Sequence, residues 1–572
     1  MTARTPRLCC LALAAAAVVL TPSAAWADQA RTLYVRAGAD SGGHGTRQSP
    51  FGDLSRVEAA SREGDRIVVL PSAGILDGGI RLKRGQQLVG RGSARVTNTM
   101  PSRLDGDAVR LADGTTVTNL EIRDPLRGGI YGLNTTGVTI TGNDISGQNA
   151  SCVPGFHIPH FSVPTTLPGI GIPISDGLHN GWAGIMVDAD RGAGPLAIAG
   201  NRVHDADCGD GIDVRLSGRA RLHARITRNH LTGLRQGPSL SSILAIGLQS
   251  RGRSTLAATL RGNRQSHLGN DEDAGIGPAG ADSEGVFVNP VGGGRMRVEI
   301  AHNHYSQPPG RGGFSANGLE YVSMGDGARA NVDVHDSTFS GSSGDVIEQL
   351  GLGTNAVLNL SLDRVTATGS TGFGGSGYGD TIVIPGNNAD CLIGASGGAG
   401  NQVTLRVRHS ALTNCANNGL TFGSSVSNGR GPTSRLMLDV ADSQITGNHG
   451  GNLRLGNIGG LDTLSVRIED TDLSDSRGGP TTPANLTAEN LGTTRRSTID
   501  LGGGPLGSRG GVCLDGGLLA VTLVGYDVSA RNAWWGTPGG PAPGRVVTAG
   551  GTLDAGSPLG TRPKTCTVPT RK

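Results

Sequence analysis

The sequence has little lysine and few aromatic residues. Lysine occurs only at Lys83, Lys564 and Lys572, so arginine carries nearly all of the positive charge, and Phe, Tyr and Trp together make up 3% of the chain. Charged residues amount to 17%, and the formal net charge is only +3. This near balance argues against nucleic acid or an anionic membrane as a general partner.

Long apolar runs are also missing after the N-terminus, so no membrane span is predicted. Arg4 and Arg7 precede an apolar run at 8–20, and an Ala-Trp-Ala stretch at 25–27 provides small residues for cleavage. This is the pattern of a secretory signal peptide, whose apolar core is too short to cross a bilayer. We therefore predict cleavage near Ala27 and a soluble, monomeric protein that is secreted to the exterior or to the periplasm.

Glycine, in contrast, is abundant, at 96 of 572 residues, without a collagen-like period. This composition favours a fold with many turns over a disordered chain. One pattern recurs along the sequence: a short strand of alternating apolar residues, a corner residue, and a small polar turn. The pattern predicts the corner position at Asn143, Asn201, Asn229, Asn263 and Asn303, and further along at Asp336, Asp363, His409, Asp442 and Asp470.

A second type of short strand alternates with the first and follows a glycine or another small residue. Its period-2 alternation over four to six residues indicates β-strands, and helical periodicity is absent. Sandwiches and propellers also contain short strands. Similar turns and an Asn at one fixed corner favour a solenoid, because stacked Asn side chains can hydrogen-bond from rung to rung. The sequence thus predicts an all-β fold, a right-handed parallel β-helix.

The N-terminal region resembles the opening of bacterial exported β-helix proteins of the pectate-lyase-like superfamily. The resemblance rests on the stretch 34–42, the Ser-Pro-Phe at 49–51 and a predicted short helix at 54–61. In those proteins a helix caps the end of the solenoid. The stretch 531–536 is similar to an N-x-W-W-G element found where such helices finish. The implied organisation is a signal peptide at 1–27, an N-terminal strand and helix cap at 28–65, a parallel β-helix at 66–536, and a C-terminal cap or tail at 537–572.

Six of the eight cysteines follow the signal peptide, and no C-x-x-C pair indicates a zinc site. An even number in an exported protein is typical of disulfides. In this architecture the first two cysteines follow the same corner of adjacent rungs, which stack at about 4.8 Å and so suit a bridge. The predicted pairs are Cys152–Cys208, Cys391–Cys415 and Cys513–Cys566.

Acidic residues recur on the predicted outward faces of the middle coils. Side chains stacked on neighbouring strands there would lie roughly 5 Å apart, a spacing that suits carboxylate pairs. Such pairs can bind a hard cation or act as acid and base. The candidate catalytic residues are Asp210, Asp213, Arg215, Glu284 and Glu320, and the candidate metal ligands are Asp207, Asp210 and Asp213.

Two enzymatic interpretations follow. A polysaccharide lyase would use bound calcium to neutralise a uronate, with an arginine such as Arg215 taking the proton. A glycoside hydrolase would use two of the acids directly. The stretch 209–213 resembles the N-T-D-G-x-D motif of polygalacturonases, but their D-D and G-H-G motifs do not follow.

Two non-enzymatic alternatives remain open. A Gly-Asp-Gly stretch also arises as ordinary turn chemistry. Large exported β-helix proteins also serve as adhesin-like or surface structural components, and the scarcity of aromatic platforms for sugars favours that alternative. The sequence therefore predicts a secreted β-helix protein that binds or cleaves an extracellular, acidic polysaccharide, with a non-catalytic surface protein as the alternative.

Overall fold

The computed structural model describes residues 30–158, 178–237, 242–269, 282–308, 315–371, 389–424, 433–457, 463–478, 484–490 and 497–566. The predicted signal peptide lies outside the described residues. Within them, short strands form three long sheets. Among these residues every strand pairing is parallel except that between the fourth and fifth strands of sheet C below.

The three sheets contain 17, 11 and 17 strands. Sheet A consists of β1 (Thr32–Val35), β2 (Arg66–Val69), β4 (Gln87–Gly90), β7 (Thr116–Thr118), β10 (Val138–Thr141), β15 (Ala193–Ala199), β18 (Arg221–Thr227), β21 (Thr255–Arg261), β24 (Arg295–Ala301), β27 (Arg329–His335), β30 (Val357–Asp363), β33 (Gln402–Arg408), β36 (Arg435–Ala441), β39 (Thr463–Glu469), β41 (Thr498–Gly502), β43 (Val528–Ala530) and β45 (Leu553–Asp554). Sheet B consists of β5 (Arg95–Val96), β8 (Glu121–Arg123), β11 (Asp144–Ser146), β16 (Arg202–Ala206), β19 (His230–Leu234), β22 (Arg264–Leu268), β25 (His304–Ser306), β28 (Thr338–Ser340), β31 (Thr366–Thr368), β34 (Ala411–Thr413) and β37 (Gln444–Thr446). Sheet C consists of β3 (Ile80–Arg81), β6 (Val109–Arg110), β9 (Ile130–Leu133), β12 (Pro154–Ile158), β13 (Leu178–Gly181), β14 (Ile185–Ala189), β17 (Ile212–Leu216), β20 (Ser242–Arg251), β23 (Asp282–Val291), β26 (Ser315–Ser323), β29 (Ile347–Gly351), β32 (Leu392–Ser396), β35 (Leu420–Ser424), β38 (Leu453–Asn457), β40 (Ala484–Asn490), β42 (Leu519–Val524) and β44 (Val546–Ala549).

From β4 to β38 the chain runs in coils that visit the sheets in the order A, B, C. From β10 the chain passes through β11 and β14 and returns to sheet A at β15, which pairs in register with β10. Side chains from strands of all three sheets form one continuous apolar interior that runs from Leu33 to Trp535. The predicted all-β fold is therefore confirmed as a parallel β-helix.

A ladder of buried asparagines lies at the corner between sheets A and B. The backbone N–H of each Asn donates to the Oδ1 of the Asn one coil further on, at 2.8–3.0 Å. Its members are Asn143, Asn201, Asn229, Asn263 and Asn303, as predicted.

The predicted continuation of this column as Asp is wrong by one residue. After Asn303 the ladder passes to Ser337, whose Oγ accepts from the Asn303 N–H at 3.1 Å, and further along Ser410 donates its N–H to Ser443. The predicted residues Asp336, His409, Asp442 and Asp470 instead occupy the preceding position, where φ is positive, at 44–50°. Asp tolerates this left-handed backbone better than most residues, which explains why it recurs beside the corner. Asp363, also predicted for the column, ends its strand.

The solenoid is closed at its N-terminal end by the helix α1 (Leu54–Ala60). Asp53 caps this helix by accepting the N–H of Arg56 at 2.8 Å, and Leu54 and Val57 are buried against the first coils. β1 already pairs with β2, so the region predicted as a cap contributes a strand to sheet A. At the other end β44 and β45 extend sheets C and A beyond residue 536.

Three disulfides join the cysteines in the predicted sequential order. Cys152–Cys208 and Cys391–Cys415 have Cα atoms 5.2 and 5.5 Å apart, and the third bond is Cys513–Cys566. The described part of the chain has no helix long and apolar enough to span a membrane.

Candidate functional site

The outer face of sheet C carries the acidic residues that the sequence singled out. In β17 the side chains of Ile212, Val214 and Leu216 join the apolar interior. Asp213 and Arg215, which alternate with them, therefore lie on the outer face, as predicted. Asp213 is nevertheless fully buried there, whereas the Arg215 side chain keeps 16% of its surface exposed.

Asp213 lacks the partners that a buried carboxylate ordinarily has. In the part of the chain that the structure describes, neither of its carboxylate oxygens makes a hydrogen bond. Burial raises the pKa of Asp213 well above its ordinary value, and the negative charge of Asp210 raises it further. The positive charge of Arg215 and the nearby N–H of Gly247, which lies outside hydrogen-bond geometry, offset part of this increase. Asp213 is thus favoured in its protonated form.

Asp210 has a different role, because it belongs to a ladder of its own at the start of sheet C. Its Oδ1 accepts the N–H of Leu244 in the next coil at 3.1 Å. The same bond recurs further along: Asp345 accepts from the Asp390 N–H at 2.7 Å, and Asp390 accepts from Asn418 at 2.8 Å. Asp210 is therefore one rung of a repeated structural element, as the turn-chemistry alternative for the Gly-Asp-Gly stretch anticipated.

Arg215 is held by a carboxylate of the neighbouring coil. Its Nε and Nη2 donate to the two oxygens of Asp188 at 2.6 and 2.7 Å. Burial alone would lower the pKa of Arg215, but the hydrogen bonds and the charge of Asp188 raise it above its ordinary value. A guanidinium bound in this bidentate way is a poor proton acceptor. The geometry thus gives Arg215 a binding or positioning role and not that of the base in an elimination.

The three candidate metal ligands are not brought together. The Asp207 side chain is 88% exposed and pairs with Arg235 at 3.3 Å, whereas Asp210 and Asp213 are fully buried. Among the described residues, the one group of three side chains close enough to share an ion is Asp472, Cys513 and Cys566. Its two cysteines form a disulfide, so that group does not offer thiolates to a metal.

The remaining predicted acids lie further along the same face. Glu320 of β26 shares a column with Asp213, but β20 and β23 lie between them. Three strand spacings amount to about 14 Å, beyond the roughly 9.5 Å that separates the carboxylates of inverting glycosidases. Glu284 is buried on β23, beside Asn317 of the next strand. The five candidate residues therefore form two groups and not one groove.

An apolar cluster on the outer face separates the two groups. It is built around Phe287, which is fully buried and lies in register between Gly247 and Glu320. Tyr321 of β26 points inward and donates to the Ala330 carbonyl at 2.7 Å, so its ring is not presented on this face. The cluster consists of Leu244, Phe287, Val322, Met324, Leu350 and Ala395.

Glu348 is an acid of the second group that the sequence did not reveal. It is the register partner of Glu320 in β29 and accepts a hydrogen bond from the Asn317 amide at 3.0 Å. Partners on neighbouring strands lie about 4.8 Å apart, so Glu320 and Glu348 form a stacked carboxylate pair. The stretch 346–350 shows no alternation of apolar and polar residues that would turn Glu348 outward, and its pairing with Glu320 requires the register.

An aromatic and arginine cluster at the N-terminal side of Asp213 was also missed. Tyr131 and Trp182 pack edge to face with their ring centroids 5.3 Å apart. The guanidinium of Arg127 lies 4.2 Å from the Trp182 ring centroid, and that of Arg110 lies 5.1 Å from Tyr131. Arg215 lies 5.6 Å from Trp182 and joins this cluster to the Asp213 group. Burial raises the pKa of Tyr131 to about 12.

A usable signal for this cluster was the rarity of tryptophan, since the chain has four in all and Trp182 directly precedes β14.

Comparison with known proteins identifies no family and no curated protein that matches this chain.

Proposed function

We propose that this protein is exported and acts on an acidic extracellular polysaccharide at the outer face of sheet C, by hydrolysis with Asp213 as the proton donor. The resemblance of its N-terminal region to the pectate-lyase-like superfamily supports export and a carbohydrate ligand. The three disulfides fit an oxidising compartment.

The observation that carries the proposal is the state of Asp213. A buried carboxylate without hydrogen bonds is costly to the fold, and strongly perturbed acids cluster at functional sites. The neighbouring residue in the next strand, Gly247, leaves the space in which this carboxylate lies. The site thus holds an acid in its protonated form, which is what proton donation to a leaving oxygen requires.

The reaction follows from this arrangement. Asp213 donates its proton to the glycosidic oxygen, the bond from that oxygen to the anomeric carbon breaks, and water adds to the anomeric carbon. The second carboxylate is Asp188, whose side chain is 20% exposed and whose charge acts on Asp213. It receives the proton that the water loses, on a lone pair that its two hydrogen bonds from Arg215 leave open.

The aromatic and arginine cluster supplies recognition. Trp182 is partly exposed, and indole rings stack well on the apolar faces of sugars. Arg110 and Arg127 beside it already bind the carboxylates of Asp105 and Asp107, so only the N–H groups that these ion pairs leave over can bond the carboxylates of uronic acids. Calcium-assisted elimination receives less support, since Arg215 is bound to Asp188 and Asp207 lies apart from the other proposed ligands.

The test is a product assay on the purified mature protein. Polygalacturonate and alginate are incubated with and without calcium while reducing ends and ultraviolet absorbance are followed. We expect new reducing ends without unsaturated products, and a rate at least about 100-fold lower for Asp213→Asn. Asp333→Asn, which removes an exposed acid on sheet A, is the matched control and should leave the rate unchanged. Unsaturated products, or an unchanged rate in Asp213→Asn, would overturn the hydrolase proposal.

A second candidate is binding without cleavage, and one observation favours it: the Asp213 side chain has no surface exposed to solvent. In that case the protein binds polysaccharide through the partly exposed cluster around Trp182. Binding that is lost in Arg127→Gln and kept in Asp213→Asn, with no product from any substrate, would support this alternative.

A further inference from the structure

A second charged surface lies on sheet A, around the corner from the candidate site. It consists of exposed arginines at the N-terminal ends of neighbouring sheet A strands and on the turns that lead into them. We call it the arginine strip, and its members are Arg219, Arg221, Arg253, Arg295, Arg297 and Arg329.

Register places these side chains in a line along the solenoid axis. Arg221, Thr255, Arg295 and Arg329 are successive partners in β18, β21, β24 and β27. Arg295 and Arg329 are thus direct neighbours about 4.8 Å apart. Like charges opposite each other on adjacent strands destabilise a sheet. The arrangement therefore lowers the stability of sheet A, and the fold itself does not explain it.

The arginines of the strip have no acidic partners. Across the described ranges, none of the six makes an ion pair or a side-chain hydrogen bond. Some later arginines on the same face are paired: Arg467 donates to Asp439 at 3.1 Å, and Arg408 binds the same carboxylate. Arg406 and Arg435 are exposed there without an ion pair among the described residues. The strip is therefore distinguished by unpaired arginines that are direct register partners, Arg295 and Arg329.

A groove adjoins the strip. It has a volume of about 600 Å³, and its polar lining comes from Arg295, Arg329, Asn331 and Asn359. The two asparagine side chains are joined by a hydrogen bond of 2.7 Å from Asn359 to Asn331. The groove thus presents amide groups that can bond hydroxyls next to guanidinium groups that can bond anions.

We propose that the arginine strip is a binding surface for a linear acidic polysaccharide whose carboxylate or sulfate groups repeat along the chain. A row of guanidinium groups with rung spacing matches an extended polymer with regularly spaced anions. Single-stranded nucleic acid fits less well, because the described surface of the strip offers no Phe, Tyr or Trp side chain on which bases could stack. This inference stands on sheet A alone and does not depend on catalysis at sheet C.

The test compares two triple variants of the full mature protein. The first removes three charges from the strip (Arg295→Ser, Arg297→Ser and Arg329→Ser). The matched control removes three exposed arginines of the first coils that also lack ion pairs within the described residues (Arg36→Ser, Arg84→Ser and Arg91→Ser). Binding of polygalacturonate, dextran sulfate and single-stranded oligothymidylate is measured at several salt concentrations, and circular dichroism checks the fold.

We expect the strip variant to bind at least one of the two polysaccharides at least about tenfold more weakly, since each charged contact contributes severalfold to the affinity. Its affinity should also depend less steeply on the salt concentration. The polygalacturonate and dextran sulfate arms distinguish carboxylate from sulfate ligands. Equal losses in the control variant would overturn the proposal, as would strip-dependent binding of oligothymidylate that exceeds that of both polysaccharides. Hydrolysis by sheet C is tested separately, because Asp213→Asn should leave binding to the strip unchanged.

Discussion

Gly247 and Asp213 are register partners on neighbouring strands of sheet C, and the glycine leaves the space that the Asp213 carboxylate fills. A Cβ atom built on Gly247 would overlap Oδ1 of Asp213 and would also approach the Leu244 side chain. The backbone φ at Gly247 is not in the left-handed region. Steric room for Asp213, and not backbone conformation, therefore explains the glycine at this position.

Gly247→Ala should destabilise the protein by about 1–3 kcal/mol, because the added methyl group forces the Asp213 carboxyl group out of its position. The free energy of unfolding in urea measures this change. In the Asp213→Ser background the same substitution should cost much less, because the shorter side chain leaves room for the methyl group. Equal costs in both backgrounds would show that the overlap with Asp213 is not the cause.

Asp390 makes the stability of the solenoid depend on pH. Burial raises its pKa to about 7, from an ordinary value of 3.8. Between these values the folded protein holds a proton that the unfolded chain has lost, so stability should fall as the pH rises from about 4 to about 7 and then level off. The contribution of this group is of the order of a few kcal/mol.

Asp390→Asn should remove this loss, since Asn keeps the oxygen that accepts the Asn418 N–H and carries no charge. The variant should match the wild type near pH 4 and be more stable at pH 8, as measured by urea unfolding. Asn418→Asp, one rung along the same ladder, is the converse control and should make stability fall more steeply as the pH rises. A parallel pH dependence in wild type and Asp390→Asn would contradict the assignment.

The fold was predictable because its signals are local. The alternation that turns Asp213 and Arg215 outward, and the Asn at the corner, are read within a single coil. The corner prediction failed beyond Asn303 because two adjacent positions share a preference for small polar residues. A positive φ favours Asp336, whereas hydrogen bonding across coils requires Ser337, and sequence alone does not separate them.

The assembly of the site was much less predictable, because it depends on how many strands separate two residues. Asp213 and Glu320 share a column but lie three strands apart, whereas Glu320 and Glu348 are direct partners. Loops of unequal length between rungs hide this count. For the same reason the ion pair of Arg215 with Asp188 could not be foreseen, although it changes the chemistry that Arg215 can perform.

Asn229→Ala should destabilise the solenoid by about 2 kcal/mol or more. The Oδ1 of Asn229 accepts both the backbone N–H and the side-chain amide of Asn201, at 2.9 and 3.0 Å, and its loss leaves these buried donors unsatisfied. Asn331→Ala removes an amide hydrogen bond of similar length from the surface of sheet A and should cost less than about 0.5 kcal/mol. Urea unfolding compares the two, and similar costs would show that the ladder contributes no more than a surface bond.

The disulfide Cys152–Cys208 should stabilise the coils that present Asp213. It joins residues 56 apart in sequence and packs against Gly237, where an added Cβ would overlap the Cys208 sulfur. Replacing both cysteines by serine should lower the free energy of unfolding by about 2–4 kcal/mol. The disulfide Cys391–Cys415 closes a shorter loop, of 24 residues, so replacing these two cysteines by serine should lower the free energy of unfolding less. Because Cys208 lies two residues before Asp210, the first variant should also lower the rate of polysaccharide cleavage, whereas the second should not. If the Cys391 and Cys415 variant lost more stability or more activity than the Cys152 and Cys208 variant, the first disulfide would not support this part of sheet C.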